Sequence, residues 1–332
     1  MSDDTGLRDA RRTLQRRRRA RRLLATLVVL AVGTVTYAGL DFVGFEAGEL
    51  AAGVPAFLDF VGGFFPPDFV AFTRYTILND IHGLDAIGAS FDDGGAHIAD
   101  SLGWEGITLV RASIVTLLLG FLGTVLGFPF ALALGVLGSE RVTPFPLNFL
   151  FRGLMSAIRA IPAIVWIFLF VPLGPPSQPT AVLAIATDTI GNLGRLFTDE
   201  LEEIEDGPIE AIRSTGASRP QVVGFGMLSQ VFTSYIAWTL YILEVNTRIA
   251  ISLGVVGAGG LGYYIRNTTG MWAYRETAAG IVMVFLVVLS IELVSSRLRA
   301  RLRPGEHEAA GGLDALRDLF DPDRWLGRGD RD

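Results

Sequence analysis

Apolar positions along this chain gather in long runs, several approaching the ~20 residues needed to cross a bilayer core. Six runs stand out: residues 23–40, 107–137, 154–173, 181–197, 222–256 and 278–294. The third is interrupted by Pro162, and the fourth is short. The pattern predicts an all-α polytopic membrane protein with about six transmembrane helices. Four connections carry features of their own. Residues 60–75, FVGGFFPPDFVAFTRY, are aromatic and proline-broken, which predicts an interfacial segment. GPPSQP at 174–179 predicts a tight turn, and 257–275 a glycine-rich connection. Residues 198–221 form a polar block between two apolar runs.

Charge orients the spans. Residues 1–22 hold nine Arg against three Asp. This arm lacks the short apolar core and small-residue cleavage site of a secretory signal. It is expected to be a solvated cytoplasmic arm that also touches anionic lipid, not a nucleic-acid-binding element. Residues 41–105 carry eleven acidic residues and one Arg, Arg74, as expected of an extracytoplasmic loop. Arg141 and Arg152 mark the 138–152 loop as internal, and Arg297, Arg299, Arg301 and Arg303 mark the end of the last span. Both termini are therefore expected in the cytoplasm. The organisation reads as an arm (1–22), a first span (23–40), an acidic loop (41–105), a transmembrane domain (106–300) and a polar tail (301–332).

Composition removes several chemistries. Half of the 332 residues are hydrophobic, and the mean hydropathy is +0.44. No Cys is present, and the three His (His82, His97, His307) are scattered, so no metal cluster is expected. All 28 basic residues are Arg. Without Lys the chain has neither the phosphate-binding lysine of a P-loop nor a Schiff-base lysine. No catalytic residue and no cofactor is expected.

The polar block repays a closer reading. In EDGPIEAIRSTGASRPQ, Pro208 suits a first helical turn, where its missing N–H costs nothing. Glu210 then lies near the positive end of the helix dipole. Gly216 suits the left-handed residue past a helix end. Ser218 and Gln221 have capping-box spacing, with Pro220 in the new first turn. Ala211 and Ala217 keep the surface near the corner low. The block predicts two short helices meeting at a glycine corner. That shape serves either as an ordinary hairpin between spans or as a docking knob for a cytoplasmic partner.

These residues resemble the EAA loop of ABC-importer permeases. Glu210, Ala211, Ile212 and Gly216 occupy the matching places; Met227–Leu228–Ser229 stands where the family usually has Leu-Pro. The resemblance extends over roughly residues 60–300. FFPPDF (64–69), IRAIPAIVWIFLFV (158–171), the 190–218 block and YILEVNTRIAISLGVVGAGGLGYYI (241–265) are similar to the phosphonate-importer branch. It implies that Glu210, Ala211, Gly216, Ala217 and Ser218 couple to ATPase subunits. It also implies an extracytoplasmic solute-binding protein, a second permease subunit forming a homodimer, and ATP hydrolysis on a separate partner. The mechanism implied is alternating access, with phosphonate or a related phosphorus oxyanion as cargo.

Charges within spans cost roughly 2.5–3.5 kcal/mol each on insertion scales, so each requires a reason. Glu244 and Arg248 are spaced i, i+4, and Asn246 lies between them. They read as a self-neutralising structural pair or as a pathway in which Arg248 and Asn246 meet an oxyanion. Arg159 beside Pro162, and Asp188, are further pathway candidates. Arg111 can snorkel to the membrane edge. Gly257, Gly259, Gly260 and Gly262 fit no dinucleotide fingerprint, because no βαβ unit surrounds them; they predict a tight backbone turn. Gly120, Gly123 and Gly127 predict close helix packing. The alternatives are a permease for another small solute, or an ATP-independent secondary transporter or channel. The latter would call for an internal inverted repeat, and none is evident.

Overall fold

The computed structural model describes residues 3–302. They fall into two units, residues 3–63 and 64–302. Among the described residues every regular element is helical. The expected polar tail from residue 303 onward lies outside the described residues.

The first unit holds α1 (Asp3–Phe42) and α2 (Ala47–Gly62). Within α1, Arg21–Phe42 is long and apolar enough to span a membrane, with a mean hydropathy of 2.1 and none of its most apolar stretch buried. Its backbone bonds are internal, and its apolar side chains point outward, which is what hydrocarbon solvates. The Thr26 and Thr34 hydroxyls donate back to the carbonyls of Arg22 (3.0 Å) and Leu30 (2.9 Å). Two expectations change here. The arm is the helical start of α1 rather than a separate tail. Residues 47–62, expected within a loop, form a sixteen-residue helix; their run of Ala, Leu, Val and Phe outweighs the scattered acids.

The second unit begins with three short helices, α3 (Arg74–Leu78), α4 (Asp85–Ala89) and α5 (Ala96–Gly103). Phe69, Ala71, Phe72 and Ala86 are buried in one cluster with Leu109, Leu261, Tyr264, Ala279 and Val287. The aromatic segment therefore serves largely as core and not as an interfacial surface, although Phe65 remains exposed. Its carbonyls also do local work. Ala71 and Phe72 accept from the N–H groups of Leu109 (2.7 Å) and Val110 (3.2 Å). Those donors belong to the first turn of the next helix, which has no intrahelical partner for them.

That helix is α6 (Leu109–Gly138), thirty residues capped by the Thr108 hydroxyl. α7 (Leu147–Ala160) and α8 (Ala163–Leu169) follow, then α9 (Gln178–Glu202), α10 (Asp206–Ser214) and α11 (Arg219–Gln221). α11 runs through a π-helical stretch, Val222–Leu228, into α12 (Ser229–Leu253). α13 (Gly260–Gly270) and α14 (Tyr274–Leu302) complete the unit. Leu109–Gly138, Arg219–Ala258 and Tyr274–Leu302 satisfy length and apolarity for a span.

The remaining two expected spans depart from the simple form. The run at 154–173 is no single rod: α7 and α8 meet at 92° across Ile161 and Pro162. Proline cannot donate within a helix, and it pushes the preceding residue into extended backbone; Ile161 has φ −102° and ψ 114°. α9 is long enough to cross, but it does not reach the apolarity of the others. Asp188, Thr189 and Thr198 are among its buried residues. A helix enclosed by protein can carry such groups, because its neighbours and not lipid face them. Small residues bring those neighbours close. A Cβ on Gly127 of α6 would stand 2.6 Å from the Ala186 carbonyl of α9.

The glycine-rich stretch is less of a connection than expected. Gly257 takes φ +115°, which breaks the helix and which an L side chain resists. α13 then begins at once and buries Leu261, Gly262 and Tyr264.

Candidate functional site

The 198–221 block departs in part from two short helices: residues 198–202 close α9, α10 leads to the glycine corner, and α11 beyond it is the three-residue start of the continuous Arg219–Ala258 span. Pro208 sits in the first turn of α10, and Gly216 carries the corner at φ +81°. The Gln221 side chain reaches back to the Ser218 backbone N–H, which donates to it at 2.8 Å, completing a capping box. One side of this corner is bolted to the bundle. Ile209, Val222 and Met227 are buried beside Leu201, Phe197 and Tyr235, with Ile212 and Ala217 packed against them. The other side is free: Glu210, Ala211, Gly216 and Ser218 are exposed. A Cβ at Gly216 would meet nothing within 4 Å.

Polar contacts fix the angle of α10. Arg141 donates to Asp206 at 2.7 Å and to the Glu202 backbone carbonyl at 3.1 Å. Arg152 pairs with Glu202 and donates to the Gly138 carbonyl at 2.8 Å. The Glu140 N–H donates to the same Glu202 carboxylate at 3.1 Å. Sequence reasoning used Arg141 and Arg152 only as orientation markers and passed over Glu202 and Asp206. Their partners lie fifty or more positions away, beyond any local pattern.

The five polar candidates within the bundle separate into three groups. Asn246 is 1% exposed. Its amide donates at 2.8 Å to the hydroxyls of both Thr124 on α6 and Thr189 on α9. It ties three helices together. Glu244 pairs with Arg248 on its own helix, and with Arg299 of α14 at 3.5 Å; Arg248 also approaches Glu292 at 4.0 Å. Arg159 and Asp188 line one cleft between the α7–α8 break, α9 and α12. Gly257, Gly259 and Gly260 line a second cleft with Arg111, Gln178 and Tyr263. Gly262 lies outside its lining, pressed against the Ile251 carbonyl of α12.

Outside the spans, Asp68 is buried and accepts from the N–H groups of Gly83 (2.8 Å) and Val70 (3.2 Å). It also contacts His82 Nδ1 at 2.7 Å. Burial pushes the Asp68 carboxyl up, but the hydrogen bonds from Gly83, His82 and Val70 outweigh it and hold the pKa below 3.8. The hydrogen bond to Asp68 raises the His82 imidazole above 6.5, helped by Asp80.

Residues 123–307, more than half of the chain, match the family described as binding-protein-dependent transport system inner membrane component. HtxC of Stutzerimonas stutzeri, named as a phosphite transport system permease protein, is 29% identical over 299 residues. That alignment covers 90% of this chain and 93% of HtxC. The phosphate-import permease protein PhnE of Mycolicibacterium smegmatis is 32% identical over 201 residues, 59% of this chain and 37% of PhnE. Among solved structures, an inward-facing MetNI methionine ABC transporter superposes with a TM-score of 0.53 at 22% identity. It covers 58% of this chain and 95% of that one, a likeness of fold. With a family match over most of the bundle and a permease fold beneath it, the chain belongs to the inner-membrane components of binding-protein-dependent transport systems, as a multi-pass permease subunit of an ABC importer.

Proposed function

We propose that this permease carries phosphonate or a related phosphorus oxyanion, such as phosphite, into the cell by alternating access. Support for the cargo comes from relatives named for phosphite and phosphonate transport. Two copies of the chain form the pathway. ATP is hydrolysed on separate cytoplasmic subunits, and a solute-binding protein delivers cargo on the opposite face. Both termini lie in the cytoplasm. The α10–Gly216–α11 corner is the surface that ATPase subunits grip.

The observation that carries this reading is the corner itself. It is rigid on the bundle side through Ile209, Val222 and Met227. On the other side it is exposed, with Glu210 and Gly216 at the surface. A knob of that kind transmits a push instead of absorbing it. ATPase closure must favour one arrangement of the spans over another for the cycle to turn.

The test is co-purification from membranes of the tagged chain with its ATPase subunits, beside Glu210→Ala and Gly216→Trp. A new side chain at Gly216 meets open space within the chain but strains the corner at φ +81°, so melting is recorded beside co-purification, and Glu210→Ala, which carries no such strain, isolates the docking contact. Expected is an ATPase retained by the wild type and weakened or lost in both variants. An ATPase held equally by all three would remove the docking role.

A further inference from the structure

The cleft between the α7–α8 break, α9 and α12 has a volume of about 680 Å³. Its charged lining is Arg159, Asp188, Arg195 and Asp199, with Asn192, Tyr241 and Ser252 as neutral polar groups. Two of these neutralise each other. Arg195 grips Asp199 bidentately, with Nε–Oδ2 at 3.1 Å and a terminal nitrogen–Oδ1 at 2.9 Å. That leaves one cation and one carboxylate.

Asp188 is only 8% exposed. Its Oδ2 accepts from the Asn192 amide at 2.9 Å. Among the described residues nothing donates to its Oδ1. Arg159, in the last turn of α7, lines the same cleft; its stem packs against Gly191 of α9, one turn from Asp188, on which its charge acts. Among the described residues no carboxylate comes within ion-pairing distance of Arg159. The 92° break at Pro162 ends α7 just beyond Arg159, opening the space the guanidinium faces.

The chemistry of the two groups is complementary and restrictive. A guanidinium only donates, and in a fork that suits tetrahedral oxyanions. An ionised carboxylate only accepts. A fully ionised oxyanion would satisfy Arg159 while pressing bare oxygens against Asp188, a like-charge contact in a low-dielectric cleft. A singly protonated one satisfies both. We propose that this cleft is a binding station for the monoanionic, protonated form of a phosphorus oxyacid, its P–O⁻ held by Arg159 and its P–OH donating to Asp188.

The proposal rests on the phosphorus-oxyanion reading above and sharpens it. Cargo and Asp188 together hold one proton. Phosphorus oxyacids keep a proton up to about pH 6 or above. Sulfate and sulfonates are fully ionised, so they can enter only if Asp188 itself takes up a proton. The pair therefore discriminates by protonation, between ions of nearly equal size.

The test uses the permease assembled with its ATPase subunits in lipid nanodiscs, without the binding protein. Inorganic phosphite and inorganic sulfate are titrated separately by calorimetry across pH 5.5 to 8. Expected for the wild type is phosphite binding at least ~10-fold tighter than sulfate, about the worth of one charge-assisted hydrogen bond, weakening as pH rises. Asp188→Asn replaces an acceptor with an amide that can donate. It should bring sulfate to within about threefold of phosphite and flatten the pH dependence. Arg159→Gln should weaken both anions, with Arg159→Lys restoring part of the loss. Equal affinities in the wild type, no phosphite binding at millimolar concentration, or a ratio unmoved by Asp188→Asn would overturn the proposal. ATP hydrolysis stimulated by the binding protein separates the two ideas. If the wild-type complex shows it yet binds no phosphite, only the station fails. If the chain assembles with no ATPase, the permease reading fails first.

Discussion

Arg141 and Asp206 lie 65 positions apart in the chain and meet at 2.7 Å. The contact joins the start of the α6–α7 connection to the first turn of α10. Asp206 is 76% exposed, so the ion pair alone contributes little, about 0–1 kcal/mol. Its worth lies in direction, since the same guanidinium also holds the Glu202 carbonyl. Arg141→Ala is therefore expected to leave thermal stability nearly unchanged, while loosening α10. Stimulation of ATPase activity by the loaded binding protein should fall several-fold in reconstituted complexes. An unaltered stimulation ratio would show that α10 is held by its apolar contacts alone.

Asn246 is a second junction, of a different kind. It bridges Thr124 and Thr189 in a site with essentially no exposure. Asn246→Ala removes both hydrogen bonds and leaves a small void at the meeting of α6, α9 and α12. The expected cost is about 1–3 kcal/mol, read as a clear drop in the melting temperature of the detergent-solubilised protein. A drop in uptake with unchanged melting would instead make Asn246 a pathway residue.

How legible these features were depended on how local their causes are. The Gly216 corner could be read because each signal, Pro208, Gly216 and the Ser218–Gln221 box, acts within four residues. Pro162 announced a break, but not the 92° between α7 and α8, because the angle is set by packing against α9. The run at 181–197 reads as a short span; as α9 it extends to 25 residues, and burial by its neighbours excuses a polarity that a lone span could not bear. Asp68 and His82, fourteen positions apart, carried no local sign of their contact. The separation of Arg159 and Asp188 from Asn246 depended on which helix faces meet, and periodicity alone does not give that.

The Asp68–His82 contact predicts a pH response in the segment spanning residues 64–105. His82 has its folded pKa raised above 6.5, so its contribution is complete below 6.5 and is lost as pH rises through the folded value. Asp68 is lowered below 3.8, so its contribution is complete above 3.8 and is lost as pH falls through the folded value. The contact is strongest between these limits. Hydrogen exchange of the amides of Val70 and Gly83, which donate to Asp68, should speed up above neutral pH beyond the ordinary base-catalysed rise. His82→Gln should remove that excess. An identical pH profile in the variant would show that the backbone donors hold Asp68 unaided.

At Glu244 a structural role and a pathway role lead to different measurements. This carboxylate is 6% exposed and neutralised from two helices, by Arg248 and Arg299. Arg248 is nearly half exposed, at 47%, whereas Arg299 has a guanidinium nitrogen buried without a partner. Removing Arg248 leaves Glu244 still faced by Arg299 at 3.5 Å, so Arg248→Ala should cost about 1–2 kcal/mol, the low end for a buried group that loses one of two partners. Removing Glu244 strands the partly buried Arg299 and unpins α12 from α14. Glu244→Ala should cost about 3–5 kcal/mol, as expected when one partner of a buried pair is lost. Melting of the two purified variants measures the asymmetry directly. A structural pair gives a large loss for Glu244→Ala, a small one for Arg248→Ala, and uptake that follows the amount of folded protein. A pathway role for Arg248 shows in uptake instead: Arg248→Ala melts close to the wild type but abolishes transport. The geometry favours the first, because the carboxylate of Glu244 is enclosed between α12 and α14 while the Arg159–Asp188 cleft opens on another face of α12.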